Sequence, residues 1–350
     1  MDIVRERMKR VLKRLVKRGI GIDNTLRLLA LRERLMTWTV LPLQRALLLR
    51  RLARIPVVTA VRGAGTTDVD AYWGNHTIWT TPFLTAQRSL DYVRTIDRLY
   101  PLYFEYCGLY EEHKDEVILE YGCGPGNDVV GWAVFSKARK IVAMDISRKA
   151  LELARQRVAL HDVDAERLEF VQISDEEHQI PLPDGSVDYI NCLGVLHHTS
   201  QPDAIMKEFF RVLAPGGRAT IMVYHWDSIY VNLSIAYELQ IMQGQYPGLS
   251  AVEGFYALAD GRAPIARLHR ADEFAAYCRS FGFETTYMGA AFSQTELDSW
   301  KRCGRQAVED TRLGPAHRSF LSELVEDARG FPMRDGMPAG LDAVFRLVKP

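Results

Sequence analysis

The run Val117-Ile-Leu-Glu-Tyr-Gly-Cys-Gly-Pro-Gly-Asn-Asp-Val129 limits the folds open to this chain more than any other stretch. It reads as an apolar strand that ends in an acid, a turn through Gly122, Gly124 and Gly126, and the start of a helix. Glycine there lets the backbone adopt positive φ and lets a ligand approach main-chain atoms. A dinucleotide fingerprint needs G-x-G-x-x-G to seat a pyrophosphate on the helix N-terminus, whereas here the spacing is G-x-G-x-G and Asn127 follows. A nucleoside cofactor suits this loop better than a pyrophosphate.

Four further landmarks follow in order. Lys140 to Asp145 is a second strand whose terminal acid lies about 20 residues past the glycines, where a ribose-binding carboxylate is expected. Leu168 to Asp175 and Ser186 to His198 contain the third and fourth strands, and Arg211 to Tyr224 turns through Pro215-Gly216-Gly217 into a fifth. Ser147 is placed to cap a helix over 148–160, and 201–213 reads as another. Strand alternating with helix predicts an α/β fold, a parallel sheet with right-handed crossovers. Phe283 to Met288 and Leu341 to Val348 read as the last two strands.

Taken with these landmarks, Leu119-Glu-Tyr-Gly-Cys-Gly-Pro-Gly126 resembles the first motif of the class I S-adenosylmethionine (SAM)-dependent methyltransferases. The resemblance implies a three-layer, doubly wound, seven-stranded sheet, mostly parallel with an antiparallel last strand. It implies SAM as cofactor, bound by Glu120, Gly122, Cys123, Gly124, Gly126, Asp145, Ile146, Ser174, Asp175 and Leu193. Within that set Gly122 and Gly124 would face the methionine end, Asp145 the ribose, Ile146 the adenine ring and Asp175 its amino edge. Cys123 also reads as a small filler between glycines, Asp145 as a helix-capping acid, and the Asp175 register as off by one. Leu196-His-His198 and Arg211-Val-Leu-Ala-Pro-Gly-Gly217 resemble the quinone-biosynthesis enzymes of the small-molecule and lipid group. The chain lacks the Asn/Asp-Pro-Pro-aromatic run of amino-methylating DNA enzymes and the acid–amide cluster of metal-dependent relatives, so nucleic acid and a metal are not expected.

Charge divides the chain. Lys and Arg number 44, as do Asp and Glu, yet residues 1–62 carry sixteen basic residues against four acids. Apolar residues from Ile3 to Val16 recur at three-to-four spacing between arginines and lysines, which predicts a basic amphipathic helix. Three readings stay open for it: contact with an anionic membrane, packing on its own domain or a second subunit as in a homodimer, and a cleaved presequence. No run there approaches the roughly 20 apolar residues of a membrane span. Five cysteines without metal spacing fit a reducing compartment. The expected location is the cytoplasm, with the basic helix able to hold the protein at the inner membrane surface.

The expected organisation is a basic helical extension (1–62), an aromatic-rich cap (63–114), and a SAM-binding domain (115–350) with insertions at about 227–267 and 293–340. Tyr72, Trp73, His76 and Tyr224 are candidates for the acceptor pocket. Imidazole is the natural general base near neutral pH, which makes His225, His198 and His269 the candidate bases, with His197 beside them. The expected reaction is methyl transfer from SAM to a hydroxyl or activated carbon of a small-molecule, lipid-linked or glycan acceptor. The alternatives are a SAM-binding but inactive scaffold and, more distantly, a dehydrogenase.

Overall fold

Nine strands among the described residues hydrogen-bond into one sheet. They are β1 (Val57–Thr59), β2 (Val117–Tyr121), β3 (Lys140–Asp145), β4 (Leu168–Gln172), β5 (Val187–Leu193), β6 (Leu213–His225), β7 (Leu268–His269), β8 (Glu284–Ala291) and β9 (Asp342–Val348). This computed structural model describes residues 41–60, 67–77, 83–176 and 178–350. The basic helix expected in the first twenty residues lies outside them.

The order across the sheet is β1-β4-β3-β2-β5-β6-β9-β8, with β7 beside the end of β6. Neighbours are parallel except at β9, which runs antiparallel to both β6 and β8. The seven long strands are those expected; the short β1 and β7 are additions. β1 pairs with β4 from Val57 to Thr59, so part of the expected N-terminal extension belongs to the sheet. The chain divides into two compact units, Met1–Arg51 and Leu52–Pro350, a boundary eleven residues earlier than the one expected.

Helices cover both faces because successive strand residues alternate sides. Leu119, Val142, Ile190 and Ile221 pack with Phe209 on one side, while Ile118, Ile141 and Phe170 pack with Trp132 and Leu151 on the other. Truncating one of these buried leucines to alanine costs about 2–5 kcal/mol. A third cluster, with Tyr237, Phe255, Phe292 and Phe320, joins the insertions to the sheet.

In chain order the helices are α1 (Leu41–Ala53), α2 (Asp68–Asn75), α3 (Ala86–Leu99), α4 (Tyr103–Cys107), α5 (Asn127–Phe135), α6 (Arg148–Ala159) and α7 (Pro202–Val212). The first insertion forms α8 (Tyr230–Met242), wound with i→i+5 hydrogen bonds, and α9 (Ala251–Leu258); α10 (Ala271–Ser280) follows. The second forms α11 (Gln294–Glu309), α12 (Pro315–Ser322) and a small antiparallel sheet over 325–338. No helix among the described residues is long and apolar enough to cross a membrane.

Candidate active site

A cavity of about 480 Å³ opens above the carboxyl ends of β2, β3 and β5, the position where open α/β sheets bind ligands. The glycine loop forms part of its wall. A Cβ on Gly122, at φ +78°, would lie 2.2 Å from Val195 Cγ2, so a side chain there would collide. Gly124, at φ +50°, would carry its Cβ into open space on the cavity side, leaving main chain exposed to whatever the cavity holds.

Asp145 ties this loop to the next helix. Its Oδ2 accepts the Gly124 N–H at 2.7 Å and its Oδ1 accepts the Ser147 N–H at 2.7 Å. Burial pushes the carboxyl up to about 6, against the pull of those two bonds. The N–H groups of Gly122 and Cys123 both donate to Met144 O at 2.8 Å, so neither is available to a ligand. Ile146 and Ser147 continue the wall, and Leu193 lies at the end of β5.

Two acids sit beneath the loop. Glu120 accepts from Trp132 Nε1 at 2.5 Å and from Asn191 Nδ2 at 3.1 and 3.0 Å, while Asp128 accepts from the Tyr103 hydroxyl at 3.1 Å. Burial, and then the Asp128 charge, raise Glu120 well above the usual carboxylate range. Asp128 was not among the expected site residues.

Asp175 supplies the test of fit. Its Oδ1 accepts the Ser200 N–H at 2.9 Å, but Oδ2 is buried and has no partner among the described residues. An unsatisfied buried acceptor costs about 1–3 kcal/mol, and an exocyclic amino group on a ligand would satisfy it. Asp70 of α2 accepts the Asp175 N–H at 2.9 Å, docking the cap segment onto this end of the cavity. Ser174 lines the cavity beside it.

The opposite end is built from segments distant in sequence. Tyr224 ends β6 with its ring in the cavity and donates its hydroxyl to Asp260 Oδ2. That oxygen also faces His198 Nε2 at 2.9 Å, while His198 Nδ1 donates to Ile265 O at 2.6 Å. Tyr72 donates to Asp260 O, and Asp260 holds a left-handed backbone at φ 42°. Trp73 lays its edge against His198 with centroids 5.1 Å apart, and His76 lines the rim. Tyr100, Tyr103, Tyr230, Phe255, Glu296 and Asp342 complete the lining.

Three expectations about side-chain placement change. His225 does not line the cavity: the residue after Tyr224 points to the other sheet face, where its ring is 5.9 Å from Tyr287. Burial lowers it to about 4. His269 packs on Phe274, is likewise lowered to about 4 by burial, and is also absent from the lining. Tyr72 stands behind Asp260 rather than in the wall. Of the three candidate bases only His198 reaches the cavity, and both its nitrogens face acceptor oxygens.

A doubly wound sheet with an antiparallel β9, a glycine loop and acids at the ends of β2 and β3 defines a nucleoside-cofactor site of the methyltransferase type. Residues 119–221 match the methyltransferase domain family. Residues 119–221 thus form a methyltransferase domain of the class I SAM-dependent type, and SAM is the cofactor to which this site is fitted.

Among curated proteins it is 34% identical over 107 residues to a malonyl-[acyl-carrier protein] O-methyltransferase of Yersinia pestis, covering 31% of this chain and 36% of that one. It is 29% identical over 156 residues to the 27-O-demethylrifamycin SV methyltransferase of Amycolatopsis mediterranei, covering 44% and 53%. A protein in a Streptomyces fradiae transposon is 34% identical over 119 residues, covering 33% and 32%. The first curated relatives are thus matched over about a third to a half of their length. Among solved structures, YcgJ of Bacillus subtilis is similar at 17% identity, with 75% of this chain and 98% of that one covered and a TM-score of 0.44.

Proposed function

We propose that this protein transfers the methyl group of SAM to a small-molecule acceptor seated against Trp73, Tyr224 and Phe255. The observation that carries this reading is one continuous cavity with a nucleoside end and an aromatic, acidic end. Bound there, SAM supplies a methyl carbon on a sulfonium that leaves as a neutral thioether. Asp145 and Asp175 would hold its ribose and adenine, with Gly124 main chain alongside and Glu120 and Asp128 facing its ammonium group. Holding two reactants in line supplies about 7–11 kcal/mol of the barrier reduction, so positioning by these walls is the main task of the chain.

The cavity volume and the rings of its far end support a small or ring-bearing acceptor; lipid-linked and glycan acceptors remain compatible with an aromatic wall. The expected hydroxyl acceptor would need a base, and neither His225 nor His269 is placed to serve. The malonyl-[acyl-carrier protein] O-methyltransferase is matched over 31% of this chain. A non-catalytic scaffold is the second reading, and the intact loop and the aromatic, acidic end of the same cavity favour the enzyme. Incubation with labelled SAM and a fractionated cell extract tests this: a product carrying the label supports the enzyme, while SAM binding without any labelled product supports the scaffold.

A further inference from the structure

Among the described residues, seven carboxyl side chains and no lysine or arginine line the cavity. Four of the seven, Glu120, Asp128, Asp145 and Asp175, lie at the nucleoside end. Asp260, Glu296 and Asp342 are left over at the other end, with no cationic ligand assigned to them. They form a connected group. Leu341 N donates to Glu296 Oε1 at 2.9 Å, Asp342 pairs across the sheet with Tyr224, and Tyr224 donates to Asp260.

The three acids are not equivalent. Glu296 is spent on structure: its other oxygen caps α11 by accepting from Ser293 N at 2.7 Å and Ser293 Oγ at 2.9 Å. Asp342 is only 7% exposed, faces the cavity, and has no hydrogen-bond or ion-pair partner among the described residues. Its oxygens open on the cavity, where a donor group on a ligand can pair with them. No three His, Cys, Asp or Glu side chains among the described residues gather in a metal-holding group; acids set among aromatic rings suit an organic cation. Trp73, Tyr224, Tyr230 and Phe255 line the same end of the cavity, and aromatic rings attract ammonium groups.

Resting on the methyltransferase reading, we propose that the acceptor is an amine, bound as its ammonium form by Asp260 and Asp342 and methylated on nitrogen. The two carboxyls divide the work. Although burial alone would raise it, Asp260 is held below its ordinary value by the His198 and Tyr224 hydrogen bonds, so it stays anionic and anchors the cation. Asp342 is raised well above its ordinary value by burial and by the charges of Glu296 and Asp260, so it is the better proton acceptor. An N–H bond of R–NH3⁺ breaks and its proton passes to Asp342. The freed nitrogen lone pair forms the N–CH3 bond as the S–CH3 electron pair returns to sulfur. The products are S-adenosylhomocysteine and the N-methylammonium ion, which needs no further base.

The test uses the full chain with S-adenosylhomocysteine for binding and labelled SAM for turnover. Two matched sets of probes differ only in the head group: 2-phenylethylamine, 2-phenylethanol and phenylacetate, and butylamine, butanol and butyrate. The proposal expects at least one amine to bind about tenfold or more tightly than its alcohol and acid partners and to gain label. Asp342→Asn and Asp260→Asn should each weaken amine binding by about tenfold or more while SAM affinity stays within about twofold. Protein that binds SAM but prefers an alcohol or acid, or shows no preference for either amine, overturns the amine acceptor and leaves the methyltransferase reading standing. Protein that fails to bind SAM overturns that reading itself.

Discussion

Asp145 accepts the Gly124 N–H at 2.7 Å, and that bond joins the glycine loop of β2 to the end of β3. Replacing Asp145 with alanine removes this tether, the Ser147 contact and the carboxylate proposed to hold the ribose. SAM affinity should fall by about 1.5–3 kcal/mol, roughly 10- to 100-fold, measured by calorimetry. Unchanged affinity would refute the role given to Asp145.

Proton linkage gives the same site a pH signature. Burial raises Asp145 to about 6 in the cofactor-free protein, and the hydroxyls of a ribose favour its ionised form. SAM affinity should therefore be level near neutrality and decline as pH falls through about 6. Calorimetric titrations from roughly pH 5 to pH 8 check this, and Asp145→Asn should lose that part of the decline.

Replacing His225 or His269 with alanine should cost less than about tenfold in turnover, well under the 10²–10⁴ of a true general base. Neither ring lines the cavity. His198→Ala should instead raise the acceptor KM more than it lowers kcat, because His198 positions Asp260 from 2.9 Å away. Steady-state kinetics on an acceptor separates the two patterns.

Acid stability should report His225. Its value is lowered from 6.5 to about 4 in the folded chain, so the unfolded chain binds a proton first as pH drops. The stability this group contributes is full above about pH 6.5 and is lost as pH falls towards 4, by about 3 kcal/mol at most. Urea midpoints should move down over that interval, and a His225→Gln variant should show a shallower descent.

The N-terminal segment offers a separate prediction. If residues 1–20 hold the protein to an anionic surface, the full chain should sediment with acidic phospholipid vesicles at low salt. Deleting them, or raising the salt, should release it without changing SAM affinity. A full chain that ignores such vesicles would leave the packing and presequence readings.

The nucleoside end was legible because it is local. Strand, acid and glycines lie within a dozen residues, and Asp145 follows at a fixed interval on the adjacent strand. The far end was not legible, since Tyr224, Asp260, Glu296 and Asp342 meet only because β9 runs antiparallel beside β6 and sets Asp342 opposite Tyr224. Glu296 sits in Ser293-Gln-Thr-Glu296, which reads as an ordinary capping box, and Asp260 in a loop with no motif. One signal was available. Residues 224 and 225 share a strand, so their side chains take opposite faces, and Tyr224 in the pocket already placed His225 outside it.

The family match ends at residue 221, and Tyr224, Tyr230, Phe255, Asp260, Glu296 and Asp342 of the far end of the cavity all lie beyond it. The nucleoside half is therefore a standard part, and the acceptor half is a fitting mounted on it by the cap and the two insertions. Under the proposed function, exchanging 227–267 and 293–340 for the corresponding segments of a relative should change which molecule is methylated while the same cofactor cradle stays in use.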